Sequence, residues 1–353
     1  MRRITVVAAA LALVALAGCS SDDGGDDGAT SAPAATAADG TSGARTDGTA
    51  PADDGTAATG ASGELTLLSY NVAGLPQEVS EETPSVNLPL ISPRLEPYDL
   101  VLTQEDFDWW QPSLEGLDFV NYHDRLVADT THEYRSERHP GPEAAGLGDW
   151  ETSRPTLLVG DGLGYLSRYP LSDIERIAWA DCFGGADTDD GGAGDCLSMK
   201  GFAVATVELA PGVTVDVYDL HNEAGGTDAD QAIQARNMED LAAFMAERSD
   251  GRAVILAGDT NLHTDGEHPD GDGDADEAIW STFLEAAGLT DVCDALSCDS
   301  PGDIDKAAFR SGGGVTLEPT SHDFPTEDFQ DDAGEDLSDH EPLAVTFAWT
   351  TDG

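Results

Sequence analysis

Five apolar stretches of this chain adjoin side chains that can hold a cation or move a proton. Residues 65–70 (LTLLSY) run into Asn71, and residues 100–103 (LVLT) run into Gln104-Glu105-Asp106. Residues 213–220 (VTVDVYDL) end at His221-Asn222-Glu223, and residues 253–258 (AVILAG) end at Asp259-Thr260-Asn261. Ser338-Asp339-His340-Glu341-Pro342 precedes the apolar run 343–349. One polar strand end is ordinary, because Asn, Asp and Gly suit turns. Five such ends are harder to ascribe to turns, since strand ends on one edge of a sheet cluster in space and sites are built there. Carboxylates and amides without a thiolate select a hard, oxygen-preferring ion, Mg²⁺ or Ca²⁺. Two histidines suit proton transfer near neutral pH. The set fits metal-assisted hydrolysis of a phosphate ester. Within 254–263, Asp259 and Asn261 carry the chemistry, Thr260 points away and His263 is a loop residue.

Strands must deliver these side chains. Besides the runs above, 163–167, 202–209 and 304–309 read as strands, and 202–209 and 213–220 form a hairpin across Ala-Pro-Gly. A helix is expected over 230–247, with Ile233, Leu241, Phe244 and Met245 on one face and Asp228 or Asp230 as cap. A second is expected over 278–287, stopped by Gly288. Many strands with few helices imply two packed sheets with outer helices. Gly258 would let the chain turn sharply after its strand.

The ends and the charge bound the rest. Arg2 and Arg3 precede an apolar run from Ile4 to Ala17, then Leu16-Ala17-Gly18-Cys19. That is a secretory signal whose end resembles a bacterial lipobox, with Cys19 as the lipidated first residue; an ordinary signal or an uncleaved anchor is the plainer alternative. Residues 20–63 are Gly, Ala, Ser, Thr and Asp with nothing to bury, a disordered tether. The catalytic domain is expected over 64–353. The net charge is −53, and the chain has only two lysines, Lys200 and Lys306. That balance disfavours an extended nucleic-acid surface, which needs basic patches. Four further cysteines, Cys182, Cys196, Cys293 and Cys298, imply two disulfides in an exported protein. Three pairings are possible, and short local loops favour Cys182–Cys196 and Cys293–Cys298.

The ordered set Tyr70-Asn71, Gln104-Glu105, Leu220-His221, Gly258-Asp259-Thr260-Asn261 and Ser338-Asp339-His340-Glu341-Pro342 resembles the motif series of the endonuclease/exonuclease/phosphatase superfamily. DGLGYLSRYPL at 161–171 resembles its small-residue strand and following Ser-Arg-Tyr-Pro segment. The resemblance implies an α/β fold, a four-layer α/β/β/α sandwich of two mostly antiparallel sheets, with the site at one edge. It implies an Mg²⁺-dependent phosphoric ester hydrolase, with Glu105 the main metal ligand, Asn71 beside it and Asp339 near the metal. Asp259 would orient or deprotonate the attacking water, Asn261 would hold the phosphate and His221 would steady the transition state. His340 would carry a proton, paired with an acid that Asp303-Ile304-Asp305 offers as Asp305. The family often has Leu after the first histidine, where this chain has Asn222.

SYNVAGLP at 69–76 and ISPRLEPYDLVLTQEDF at 91–107 look most like secreted bacterial sphingomyelinase-like or phospholipase C-like members. The expectation is therefore a monomeric, membrane-anchored lipoprotein facing outside the cytoplasm and acting on a phospholipid. The rivals are a secreted nuclease or nucleotide phosphatase and, from another class, a non-catalytic surface-binding lipoprotein. Trp109 and Trp110 would touch lipid or pack half-buried, and 125–150 would form a substrate-side loop. Asp270, Asp272, Asp274 and Asp276, within Asp270–Glu277, resemble the start of a structural Ca²⁺ loop, but Ala275 and Ser281 stand where its Gly and Glu belong. The plainer reading is a solvated acidic loop, with His263 and His268 beside it.

Overall fold

The computed structural model describes residues 60–75, 80, 82–107, 122–138, 160–184, 195–263, 273–299 and 304–352. The signal and lipobox, nearly all of the tether, Trp109, Trp110, His268, Asp270, Asp272 and residues 139–150 lie outside the described residues. Among the described residues no helix is long and apolar enough to cross a membrane.

Two six-stranded sheets pack face to face. One has the order β11-β12-β1-β2-β4-β3 and the other β5-β6-β7-β8-β10-β9. The strands are β1 (Ser62–Asn71), β2 (Leu100–Gln104), β3 (Tyr134–Arg135), β4 (Gly164–Ser167), β5 (Leu171–Ala178) and β6 (Gly201–Ala210). They continue as β7 (Val213–His221), β8 (Val254–Asp259), β9 (Thr290–Asp291), β10 (Asp305–Arg310), β11 (Val315–Asp323) and β12 (Leu343–Thr351). All neighbours are antiparallel except β1–β2 and β7–β8. Those two parallel pairs need crossovers, and the crossovers hold the main helices: α1 (Pro84–Ile91) between β1 and β2, and α3 (Asp228–Arg248) between β7 and β8. α2 (Tyr122–Leu126), α4 (Gly273–Ala287) and α5 (Val292–Leu296) complete the α-helices among the described residues.

Alternation along the strands builds the layers. Leu65, Leu67, Leu100, Leu102, Val345 and Phe347 of the first sheet meet Ala205, Val215, Val217, Ile255 and Ala307 of the second in a closed core. The opposite faces bury Phe202, Val204, Tyr218 and Leu256 under Met238, Leu241, Met245, Trp280 and Phe283, and Leu68, Tyr70 and Val101 under Leu88, Ile91, Tyr122 and Leu126. Each buried Val, Leu, Ile, Phe or Met among them contributes about 1.5–3 kcal/mol. The result is the expected α/β/β/α sandwich.

Several local expectations change. α3 begins at Asp228, and its cap is Thr227, not Asp228 or Asp230. Thr227 accepts from the Asp230 amide, and Asp230 returns a bond to the Thr227 amide, a reciprocal capping box. α4 begins at Gly273, earlier than expected, and takes in the end of the acidic run. Asp276 is buried there and accepts from the His263 amide at 3.0 Å and from Gln231 at 3.2 Å. Cys182–Cys196 and Cys293–Cys298 form the two disulfides. In the described part of 125–150, Arg135 bonds Thr130 and His132 bonds the Tyr98 carbonyl, so these side chains hold the chain's own backbone.

Candidate active site

The parallel pairs set the site. β1 and β2 end in register at Asn71 and Gln104, and β7 and β8 end in register at His221 and Asp259. β10 runs the other way, so its first residue, Asp305, lies beside Asp259. His221, Asp259 and Asp305 therefore form one row across three strands, facing Asn71 and Glu105 from the other sheet. Gly258 sits inside β8 rather than in a turn. A Cβ there would lie 2.2 Å from the Leu220 carbonyl oxygen, so close approach of β7, not a sharp bend, requires glycine.

Asn71 is the hub. Its Oδ1 accepts from the Ala73 amide at 3.1 Å, which turns Nδ2 into the site. Nδ2 lies 3.0 Å from Asp259 Oδ2, 3.2 Å from His340 Nε2 and 3.3 Å from Glu105 Oε1. Thus the amide nitrogen, not the oxygen, meets the carboxylates. Glu105 leaves β2 with a left-handed φ of 55°, uncommon for a residue with a side chain. Gly74 makes room for that bend, since a Cβ on it would lie 2.3 Å from the Glu105 carbonyl oxygen.

Asp259 is buried, with Oδ2 3.3 Å from His221 Nε2 and 3.7 Å from His340 Nε2. Its Oδ1 accepts from the Asn261 amide at 2.9 Å. Asn261 has a φ of 50°, and its Nδ2 donates to the Asn222 carbonyl at 3.1 Å. Asn222 is fully buried and accepts from Asn237 at 3.0 Å, so the residue after His221 serves packing. Thr260 turns aside to bond the Ile304 carbonyl at 2.6 Å. His340 Nδ1 meets Asp305 Oδ2 at 2.8 Å. Ser338 Oγ donates to the Asn71 carbonyl at 2.7 Å and accepts from the His340 amide at 3.2 Å, tying the last loop to β1. Asp339 is exposed at the rim.

Burial sets different protonation states within this small volume. Burial, then the charge of Lys200, pushes His221 well below the usual histidine range, so it is neutral. Burial works the same way on His340, but Asp305 and Asp259 outweigh it and lift His340 to about 10. Burial raises Asp259, but the charge of His340, then that of Lys200 and the Asn71 hydrogen bond, bring it below its ordinary value. Burial raises Glu105, and Asp339 adds to this, beyond what Lys200 and His340 offset. A carboxylate in that position gains from a cation. The oxygen-rich, thiolate-free donor set around it fits a hard divalent ion.

Sequence reasoning missed both lysines. Lys200 is buried just before β6 and pairs with the buried Asp195, and its charge reaches Glu105, Asp259 and His221. Lys306 is buried beside Asp305 on β10. The available signal was rarity: a chain of charge −53 keeps two lysines, and both are buried next to the site. Lys200→Met leaves Asp195 buried without its cation and is expected to cost about 3 kcal/mol. Urea unfolding measures this, and Asp195→Leu added to it is expected to recover most of the loss.

A protein-family model, the endonuclease/exonuclease/phosphatase family, matches residues 68–340. The chain belongs to this family. Sphingomyelinases of Mycobacterium tuberculosis and Mycobacterium bovis are 31% identical over 317 residues, covering 82% of this chain and 54% of theirs. The chain thus spans about half the length of the curated relatives it matches. Among solved structures, sphingomyelinase C from Streptomyces griseocarneus aligns with a TM-score of 0.53 at 19% identity, over 80% of this chain and 99% of that one. A variant of beta toxin from Staphylococcus aureus, solved with bound magnesium ions, aligns with a TM-score of 0.52 at 16% identity, over 80% of this chain and 99% of that one. These two likenesses establish the family fold.

Proposed function

We propose that this chain is an exported, metal-dependent phosphodiesterase that hydrolyses a phospholipid such as sphingomyelin. The observation that carries the reading is Asp259: an ionised, buried carboxylate within reach of Asn71 and both histidines, one row from Glu105. Glu105, with Asp339 at the rim, would hold a divalent ion such as Mg²⁺, which would supply positive charge to a bound phosphate. Asn71 keeps Glu105 and Asp259 turned inward. Asp259 takes the proton of the attacking water. His221, neutral, donates from Nε2 to a phosphate oxygen, and the free amide hydrogen of Asn261 holds another. Such donors, placed before the reaction, stabilise the developing charge most. His340, charged and braced by Asp305 at Nδ1, gives its Nε2 proton to the leaving oxygen.

The lipid substrate is supported by the names of the mycobacterial relatives and by the charge of −53, which repels a polyanion. Lipidated Cys19 and the tether 20–63 would hold a monomeric domain near its substrate, outside the cytoplasm. Sphingomyelin, lysophospholipid, plasmid DNA and a chromogenic phosphodiester, each assayed with Mg²⁺ and with chelator, test the reading. Chelator-sensitive release of phosphocholine from sphingomyelin is expected. Cleavage of DNA alone would move the chain to the nucleases, and full turnover in chelator would remove the metal.

A further inference from the structure

Below the site a polar contact between the sheets interrupts the apolar core. Gln104, the residue before Glu105, and Asp219, two before His221, are both completely buried. Gln104 Nε2 donates to Asp219 Oδ1 at 2.6 Å and to Ser69 Oγ at 3.2 Å, which uses both of its hydrogens. Of the two atoms left over, Gln104 Oε1 is buried with no hydrogen-bond partner, and Asp219 Oδ2 is buried with none of good geometry, the Gly164 amide being the donor that approaches this carboxyl. With Asp219 ionised, both are acceptors, and a buried acceptor left without a donor is destabilising. A proton on Oδ2 would turn one of these two acceptors into a donor.

The surroundings favour that proton. Arg176 of β5 is the cation that faces this carboxyl, yet its bonds go to Asp161 at 2.7 Å, the Leu163 carbonyl at 3.0 Å, Ser136 at 3.2 Å and the Glu137 carbonyl at 2.8 Å. Asp161, from the chain entering β4, opposes ionisation, whereas Gln104, Arg176 and the Gly164 amide favour it. The Tyr165 hydroxyl, also on β4, donates to the Ala203 carbonyl at 2.8 Å and accepts from the Asp219 amide at 3.2 Å, so it offers the carboxyl nothing. Burial outweighs the rest and raises Asp219 well above the usual carboxylate range.

We propose that Asp219 is a neutral carboxylic acid joined to Gln104 by two hydrogen bonds, and that this clasp is a positioning element for Glu105 and His221. Fixing Gln104 fixes the backbone from which Glu105 bends, and fixing Asp219 fixes β7 two residues before His221. Asp219→Asn, an isostere of the neutral acid, keeps both bonds, its amide nitrogen donating to Oε1. Asp219→Leu removes them.

A raised carboxyl pKa gives stability that is complete below the unfolded pKa and lost as pH rises toward the folded one. Wild-type Tm is therefore expected to fall relative to Asp219→Asn as pH rises above the ordinary carboxylate range. An infrared carboxylic-acid band present at neutral pH in the wild-type full-length protein is expected to vanish in Asp219→Asn. If Asp219 is ionised, Asp219→Asn instead loses Tm relative to wild type by an amount that grows with pH, and no band is lost; either result overturns the proposal. The positioning claim is read from the Mg²⁺ concentration that half-maximally raises Tm. It is expected to rise about 10–100-fold in Asp219→Leu and to stay within about twofold in Asp219→Asn, which retains the clasp. An unchanged Mg²⁺ titration in Asp219→Leu overturns positioning. This arm alone rests on Glu105 as metal ligand: if Mg²⁺ does not raise wild-type Tm, that reading fails while the pH and infrared results still decide the clasp.

Discussion

Glu105→Gln is expected to remove activity by about 10³-fold or more, the scale of losing a main electrostatic contributor in a closed site, and to make the protein more stable without metal. The two effects have one cause. Burial raises Glu105, and the exposed Asp339 adds to it, so the ionised side chain is held in an unfavourable place. The group's raised pKa means its stability contribution is present below the unfolded pKa and lost as pH rises. An amide of the same shape keeps the contact with Asn71 through its oxygen and removes the charge. The metal-free Tm of Glu105→Gln should therefore exceed that of wild type at neutral pH, with a gap that narrows on acidification. Wild-type Tm should climb with Mg²⁺, because a ligand that binds only the folded state stabilises it by mass action. Glu105→Gln should show little of that climb. A variant that loses activity yet keeps the full Mg²⁺ shift would move the ion away from Glu105. Activity bought by strain against stability is a common trade in enzymes, and here it falls on one carboxylate.

The sequence carried this site because the fold writes it in a simple code. Asn71, Glu105, His221 and Asp259 each follow a run of strand-forming residues, and parallel pairing brings those ends to one edge. Asp305 and His340 come from elements running the other way, and only the Ile-Asp and Asp-His pairs pointed to them. Their meeting at 2.8 Å depends on β10 lying beside β8, which no local pattern states. Lys200 was hidden for the same reason: it lies just before β6, a few residues past the Cys182–Cys196 disulfide, and its partner Asp195 adjoins Cys196. β5 and β11 escaped because both are edge strands. β5 is largely exposed, and β11 contains Pro319 at a register shift, where a strand tolerates the missing amide. The central strands declared themselves by continuous burial, and the edges had no such need. Thr227 shows the limit of capping rules, since Asp228 and Asp230 compete with it in composition and only the backbone chooses.

His340→Ala is expected to lower kcat by about 10²–10⁴-fold, the usual value of a positioned proton donor. It should also destabilise the protein, and the second effect allows the first to be interpreted. His340 is the partner of Asp305, a buried carboxyl that burial raises to about 6. In the variant Asp305 loses the partner that lowers it and rises further, so the variant's stability should fall between pH 5 and pH 8. Wild-type His340, raised to about 10, keeps its proton across that whole interval. Adding Asp305→Asn to His340→Ala removes the charge and should recover most of the stability at pH 8, with no recovery of kcat. Asp305→Asn alone should act on catalysis through His340, because an amide neither holds the Nδ1 proton as firmly nor supports the imidazolium. Its kcat should then fall with rising pH at a lower midpoint than wild type, as His340 loses its proton sooner. If Asp305→Asn leaves the pH profile of kcat unchanged, His340 does not act as the acid, and the proton for the leaving oxygen comes from elsewhere. If the double variant regains both stability and rate, the histidine serves only to neutralise Asp305.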